Sequence, residues 1–164
     1  NMTLIFSLVQ AIACADVGAD LISPFVGRIS DWFKNVKGMK IERAESDPGV
    51  LSVLRIANYF KKFDIPTIIM GASFRNTDQI KALCGIDALT ISPKLLEELS
   101  VQEGKVDEFS WSEEIIEKIN VDEKTFRWLM NCDEMATTKL SEGIRLFNQD
   151  TLELREVIKK LIDA

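Results

Sequence analysis

Histidine is absent from all 164 residues. That absence removes Ser-His-Asp and Cys-His catalysis, and the commonest zinc sites, from this chain. Cysteine is sparse: Cys14, Cys84 and Cys132 have no metal-type spacing and are odd in number, so they read as reduced, mostly packed thiols. No apolar run approaches the ~20 residues of a membrane span, and no basic-then-apolar signal segment opens the sequence, so a cytoplasmic protein is expected. Positive charge is also short. A net charge of −6 argues against a nucleic-acid surface, which needs a basic stripe to displace counterions. A small anion remains possible, because local arginines decide that matter.

What is present is ordinary globular composition, with 46% apolar and 28% charged residues, and a length suited to one domain. Met2 to Phe6 reads as a strand that gives way to alanine-rich helical spacing from Leu8-Val9 to Val17, with Gly18 as its stop. Asp20 to Ser23 is a second strand, which Pro24 is expected to bar from further laddering. A helix follows from Arg28 to Val36, then a polar loop over 37–47. Pro48 opens a helix that runs to Phe63. Thr67 to Met70 is the third strand, Asn76 or Thr77 caps a helix through Leu83, Ala88 to Ile91 is the fourth strand, and a helix spans Pro93 to Glu103. Beyond Gly104 the chain turns acidic and irregular through Lys124. A short helix from Thr125 to Asn131 and a long one from Met135 to Leu161 follow, with Gly143 and the Asn148-Gln149-Asp150 stretch as candidate interruptions.

Alternating strands and helices, with strands that are continuous apolar runs, indicate a parallel sheet buried on both faces. Four such units make half of an eight-stranded parallel β/α barrel of the TIM type. The alternative, an open doubly wound sheet, lacks support because Phe6-Ser7-Leu8-Val9-Gln10 carries no glycine-rich phosphate loop. The expected organisation is one α/β domain over 1–164, with four β/α units in 1–103 and a helical extension in 104–164. Because the sequence begins at Asn1, directly in strand-like residues, it reads as a piece of a larger protein.

Two segments share one grammar. Leu21-Ile22-Ser23-Pro24-Phe25-Val26-Gly27-Arg28 and Thr67-Ile68-Ile69-Met70-Gly71-Ala72-Ser73-Phe74-Arg75 each run from a buried strand to a hydroxyl and then to a guanidinium. The carboxyl ends of parallel strands share one rim, so Ser23, Arg28, Ser73 and Arg75 can converge there. Two arginines and two hydroxyls suit a phosphate.

These segments, with Asn1-Met2-Thr3-Leu4-Ile5-Phe6-Ser7, Asp47-Pro48-Gly49-Val50, Leu89-Thr90-Ile91-Ser92-Pro93, and the tail motifs Asp133 to Thr137 and Lys139 to Arg145, together resemble transaldolase over essentially the whole chain. The resemblance implies a class I aldolase-type β/α barrel of the pentose phosphate pathway that needs no metal or organic cofactor. It implies transfer of a dihydroxyacetone unit from sedoheptulose 7-phosphate to glyceraldehyde 3-phosphate, giving erythrose 4-phosphate and fructose 6-phosphate. A Schiff-base lysine on the fourth barrel strand, an aspartate on the first and a glutamate on the third would all precede Asn1, making this chain the carboxyl-terminal half, strands five to eight. By the same resemblance Asn1 and Ser23 hold the dihydroxyacetone part and Thr3 positions the catalytic water. Arg28, Ser73 and Arg75 bind phosphate, and Phe25 lies beside the reacting carbons.

Blander readings exist for each residue. Arg28 and Arg75 are also acceptable helix-start arginines, Ser23 and Ser73 turn hydroxyls, and Thr3 a branched strand residue. Lys34, Lys37 and Lys40 read as solvated rather than as Schiff-base amines. Glu113-Glu114 and Asp122-Glu123 read as a solvated face rather than a metal site, and Trp32, Trp111 and Trp128 as packing aromatics. Alone, the chain is expected to be inactive. One alternative is a non-catalytic structural half-barrel that self-associates or pairs with the missing amino-terminal half, because exposed strand edges and apolar faces invite partners. A fructose 6-phosphate aldolase-like lyase is a further alternative, weakened by Phe25 and by the tail after Gly104. The expected small-molecule partners are sugar phosphates, with neither nucleic acid nor membrane.

Overall fold

Four short apolar runs become four parallel strands: β1 (Met2–Ile5), β2 (Leu21–Pro24), β3 (Ile68–Gly71) and β4 (Ala88–Leu89). They lie side by side in chain order, each parallel to its neighbour. Parallel neighbours require crossovers, which α1 (Leu8–Asp16), α2 (Val26–Lys37), α3 (Pro48–Lys62) and α4 (Thr77–Ala82) supply. After β4 come α5 (Pro93–Ser100), α6 (Glu123–Cys132) and α7 (Glu134–Ile162). This computed structural model describes residues 1–109 and 116–163; Trp111 and Glu113-Glu114 lie outside the described residues. The architecture is α/β, a four-stranded parallel sheet with the form of half a TIM-type barrel.

Local chemistry starts the helices where the sequence places them. Ser7, Asp47, Asn76 and Ser92 each accept a backbone N–H of the helix they cap, a contribution of about 1 kcal/mol apiece. Pro48 and Pro93 follow two of those caps, at positions whose N–H has no helical partner. Gly18, at φ +78, accommodates the left-handed turn after α1.

The main core joins Ile5, Ile22 and Ile69 of the sheet to Ile12 of α1, Val26 of α2 and Val50, Val53, Ile56 and Phe60 of α3. Burial on both faces of the sheet is not what the structure has. Ile22 and Ile69 are buried, whereas their strand neighbours Leu21 and Met70 are only half-buried and Ile68 is 43% exposed. Helices cover one face of a half-barrel, while on the other face Ile68 stays open to solvent.

A second core sits where α6 and α7 return to the start of the sheet, gathering Leu4, Phe6, Ile29, Trp32, Met130, Met135 and Ala136. Lys37 at the end of α2 bonds Glu134 at the start of α7 at 2.9 Å. α7 is uninterrupted at Gly143 and at 148–150. Gly143 serves approach rather than breakage: a Cβ there would lie 2.7 Å from a methyl of Leu4. Leu4 itself sits at φ +57, where the pairing register of β1 shifts.

Three further expectations change. Pro24 does not end the ladder: its carbonyl accepts the Ala72 N–H at 3.0 Å, and the Phe25 N–H continues to Ile5 at 3.1 Å. α2 begins at Val26 rather than Arg28, so Arg28 lies within its first turn. Trp128 is 69% exposed, because α6 packs through Phe126, Leu129 and Met130 instead. The irregular stretch before α6 is anchored as well, with Ile119 donating its N–H to the Tyr59 hydroxyl at 3.0 Å.

Candidate functional site

The turn leaving β3 carries Ser73 and Arg75. Asn76 caps α4 by accepting the Gln79 N–H at 2.9 Å, and the Gln79 side-chain oxygen reaches back to the Arg75 N–H at 2.8 Å. The turn leaving β1 is built alike: Ser7 caps α1, and the Gln10 oxygen accepts the Phe6 N–H at 2.9 Å. Both are capping boxes stretched by one residue, the glutamine reaching the position before the cap. They fix the direction in which the chain leaves each strand.

Ser73 stands at φ +61, a left-handed conformation that costs a non-glycine residue about 1 kcal/mol. In that conformation its carbonyl accepts both the Gly27 N–H at 2.9 Å and Arg75 Nη1 at 3.1 Å. Its hydroxyl lies 3.3 Å from the same Nη1. The opposite edge of the Arg75 guanidinium is held by Asp31 of α2, whose Oδ2 accepts from Nε at 2.9 Å and from Nη2 at 2.7 Å. Both partners are partly solvated, so the pair matters more for orientation than for stability.

α2 brings the second arginine. Its start is stitched to the β3 turn by Val26 N–H to the Ala72 carbonyl and Gly27 N–H to the Ser73 carbonyl, each at 2.9 Å. Only glycine fits at 27, since a Cβ would meet the Ser73 oxygen at 2.3 Å and Arg75 Cγ at 2.7 Å. Arg28 follows at once. Its guanidinium carbon lies 4.8 Å from the centre of the Phe25 ring and 5.4 Å from that of Phe147 on α7, a stack that orients the cation without neutralising it. Glu142, five residues before Phe147 on α7, is held below the usual carboxylate range by the Lys139 hydrogen bond, with the charges of Lys139, Arg28 and Arg145 adding to it.

The Ser23 hydroxyl, buried on β2, donates to Asn1 Oδ1 at 2.8 Å. Thr3 is exposed on β1. Of the expected site residues the fold thus joins Asn1 with Ser23, Phe25 with Arg28, and Ser73 with Arg75, while Gly27 ties the second pair to the third. Thr3 hydrogen-bonds none of the other six among the described residues. Lys34, Lys37 and Lys40 are exposed; Lys37 pairs with Glu134 and lies 5.0 Å from the centre of the Trp32 ring. Cys14 and Cys84 are half-buried and Cys132 is exposed, and burial pushes the Cys14 thiol up.

Asp31, Gln79, Glu142 and Phe147 shape this region and are not legible as site residues from the sequence. Two of them carry a signal: Asp31 is one helical turn from Arg28, and Asn76-x-x-Gln79 has capping-box spacing.

Arg75, beside the Ser73 hydroxyl and braced by a carboxylate, suits an oxyanion such as a phosphate, and Arg28, stacked on rings, enters from the helix joined to that turn. Fold and rim together define the class: an α/β chain with half of a parallel barrel and an arginine-lined rim. The chain belongs to the family described as transaldolase/fructose-6-phosphate aldolase, which it matches over residues 1–158. It is 57% identical over 162 residues to a transaldolase of Rhizobium etli, covering 98% of this chain and 50% of that relative. It is 56% identical over 163 residues to a probable transaldolase of Drosophila melanogaster, covering 97% and 49%. To the transaldolase of Rattus norvegicus it is 54% identical over 164 residues, covering 96% and 48%. The chain spans about half the length of the curated relatives it matches.

Proposed function

We propose that this chain is the carboxyl-terminal half of a transaldolase, strands five to eight of its barrel, and that the whole enzyme transfers a dihydroxyacetone unit between sugar phosphates. The observation that carries this reading is the contact at Gly27, which sets the Ser73–Arg75 turn against the helix that presents Arg28. Arg28, Ser73 and Arg75 bind the substrate phosphate. Asn1 and Ser23, already bonded to each other, exchange that bond for the hydroxyls of the dihydroxyacetone part. Thr3 holds a water at the reacting carbons, and Phe25 covers them against stray protonation. The imine-forming lysine and the acid–base carboxylates belong to the other half, which packs on the uncovered sheet face at Leu21, Ile68 and Met70. The names of the relatives favour transfer over simple aldol cleavage.

The test is borohydride trapping with fructose 6-phosphate, read by intact mass. The isolated chain should stay near 18.5 kDa, and the longer enzyme should release the phosphorylated aldehyde and keep one reduced dihydroxyacetone unit on a lysine outside these residues. An adduct on this chain overturns the assignment. Arg75→Ala in the longer enzyme should raise KM for phosphorylated donors by one to two orders of magnitude, on the order of a few kcal/mol. An unphosphorylated donor should be unaffected.

A further inference from the structure

Three polar side chains beneath the β3 turn are almost fully removed from solvent: Ser30 at 0%, Gln79 at 1% and Asp47 at 2% exposure. Among the described residues no cation meets the Asp47 carboxylate. It is satisfied by donors alone. Oδ1 accepts the Ser30 hydroxyl at 2.5 Å and the N–H groups of Gly49 and Val50 at 2.7 and 3.4 Å. Oδ2 accepts Gln79 Nε2 at 2.8 Å.

An ionised carboxylate can only accept, so the Gln79 amide must turn its NH2 toward Asp47. Its oxygen then necessarily faces the other way, and that oxygen is the acceptor of the Arg75 N–H. The second proton of Nε2 goes to the Ser30 hydroxyl at 3.0 Å, whose own proton is shared between Asp47 and the Val26 carbonyl. Donor and acceptor roles therefore run in one sense from Asp47 through Gln79 to the main chain of Arg75.

We infer that Asp47 is a positioning residue for the anion pocket: its charge sets the orientation of the Gln79 amide, which holds Arg75 where its guanidinium meets Ser73. The inference rests on the reading of Arg75 as a phosphate ligand given above. It assigns Asp47 more than the capping of α3, and the two roles separate chemically. In Asp47→Asn the amide oxygen can keep the Ser30, Gly49 and Val50 bonds, while an NH2 replaces Oδ2. Facing that donor, Gln79 must flip or let go, and either way the Arg75 N–H loses its acceptor.

The experiment is a polarity swap in the longer enzyme proposed above. Asp47→Asn and Gln79→Glu should each raise KM for a phosphorylated donor by about tenfold, the effect of one buried donor left unpaired. The kcat should stay within about twofold, and KM for an unphosphorylated donor should not move. Amide exchange at Arg75 should accelerate in both. The double variant Asp47→Asn with Gln79→Glu restores complementarity, because the amide introduced at position 47 donates its NH2 to the carboxylate introduced at position 79. The other oxygen of that carboxylate then accepts the Arg75 N–H. KM and exchange should return to within about threefold of the parent.

An unchanged KM in Asp47→Asn, or a double variant no better than the worse single, overturns the relay. Arg75→Ala separates the two failures: if it too leaves the phosphorylated donor unaffected, the pocket reading is wrong, whereas Arg75 exchange still reports the relay directly. Should Asp47→Asn not fold, Gln79→Met keeps the volume without either amide atom and should give the same tenfold rise; parent-like kinetics there overturn the proposal.

Discussion

The Gly27 N–H and the Ser73 carbonyl meet at 2.9 Å, and a methyl group on Gly27 would stand 2.3 Å from that same oxygen. Backbone against backbone leaves no flexible side chain to yield. Gly27→Ala should therefore push the start of α2 away from the β3 turn, costing about 1–3 kcal/mol of stability as overpacking does. Denaturant titration of the chain checks the first effect. Phosphate protection against unfolding should also vanish, because the two arginines are parted.

Phe147 should matter to Arg28 without touching the rest of the rim. Its ring is one of two against which that guanidinium stacks. Phe147→Leu should weaken binding of a phosphorylated donor several-fold, since an exposed cation–π contact contributes about 0.5–1 kcal/mol. A KM equal to the parent's would show that Phe25 alone orients the arginine.

Gly143→Ala should lift α7 off β1. The added carbon would meet Leu4 methyls at 2.7 and 3.0 Å, and Leu4 is already committed to a left-handed backbone. The helix-propensity gain of alanine, about 1 kcal/mol, should be lost to this clash, making the variant less stable than the parent. Thermal unfolding decides; a higher Tm would mean that Leu4 repacks freely.

The Lys139–Glu142 pair gives a pH signature. Glu142 has a depressed folded-state value, so its stabilisation is present above the unfolded-state pKa of about 4.3 and fades as pH falls through the lower folded value. The side chain is 44% exposed, so the effect is small and sensitive to salt. The stability gap between parent and Glu142→Gln should be constant from neutrality to about pH 5 and close below it. A gap that persists in strong acid would assign it to packing.

Much of this is legible from residue order. The strand runs, the helix start at Pro48, the cap Asn76, and the repeated hydroxyl-to-arginine grammar all act within a few residues, where spacing alone carries the information. What escapes are partners brought together from distant segments, such as Asp31 with Arg75, 44 residues apart, or Arg28 with Phe147. Pro24 misleads because a proline lacks only a donor, and this position of β2 gives a carbonyl to the ladder instead. Gly143 misleads similarly, since its lack of a side chain signals either a break or a close approach, and only the neighbouring Leu4 decides which. Burial of the sheet on both faces is the natural expectation for strands that are apolar throughout, yet apolarity records the surroundings a strand is meant to have, whether or not they are there.

The hold of Ser7 on the Met130 sulfur, across 123 residues, has a kinetic corollary. The β/α units can collapse from near neighbours, but the second core must wait for a loop of that span to close, an entropic barrier that grows with the logarithm of its length. Arg28 should therefore gain its second aromatic wall late in folding, when α7 arrives. A chain halted before that step would display a formed sheet and a half-walled rim, the species a refolding time course should catch as slow Phe147 protection behind fast protection of β1 to β3.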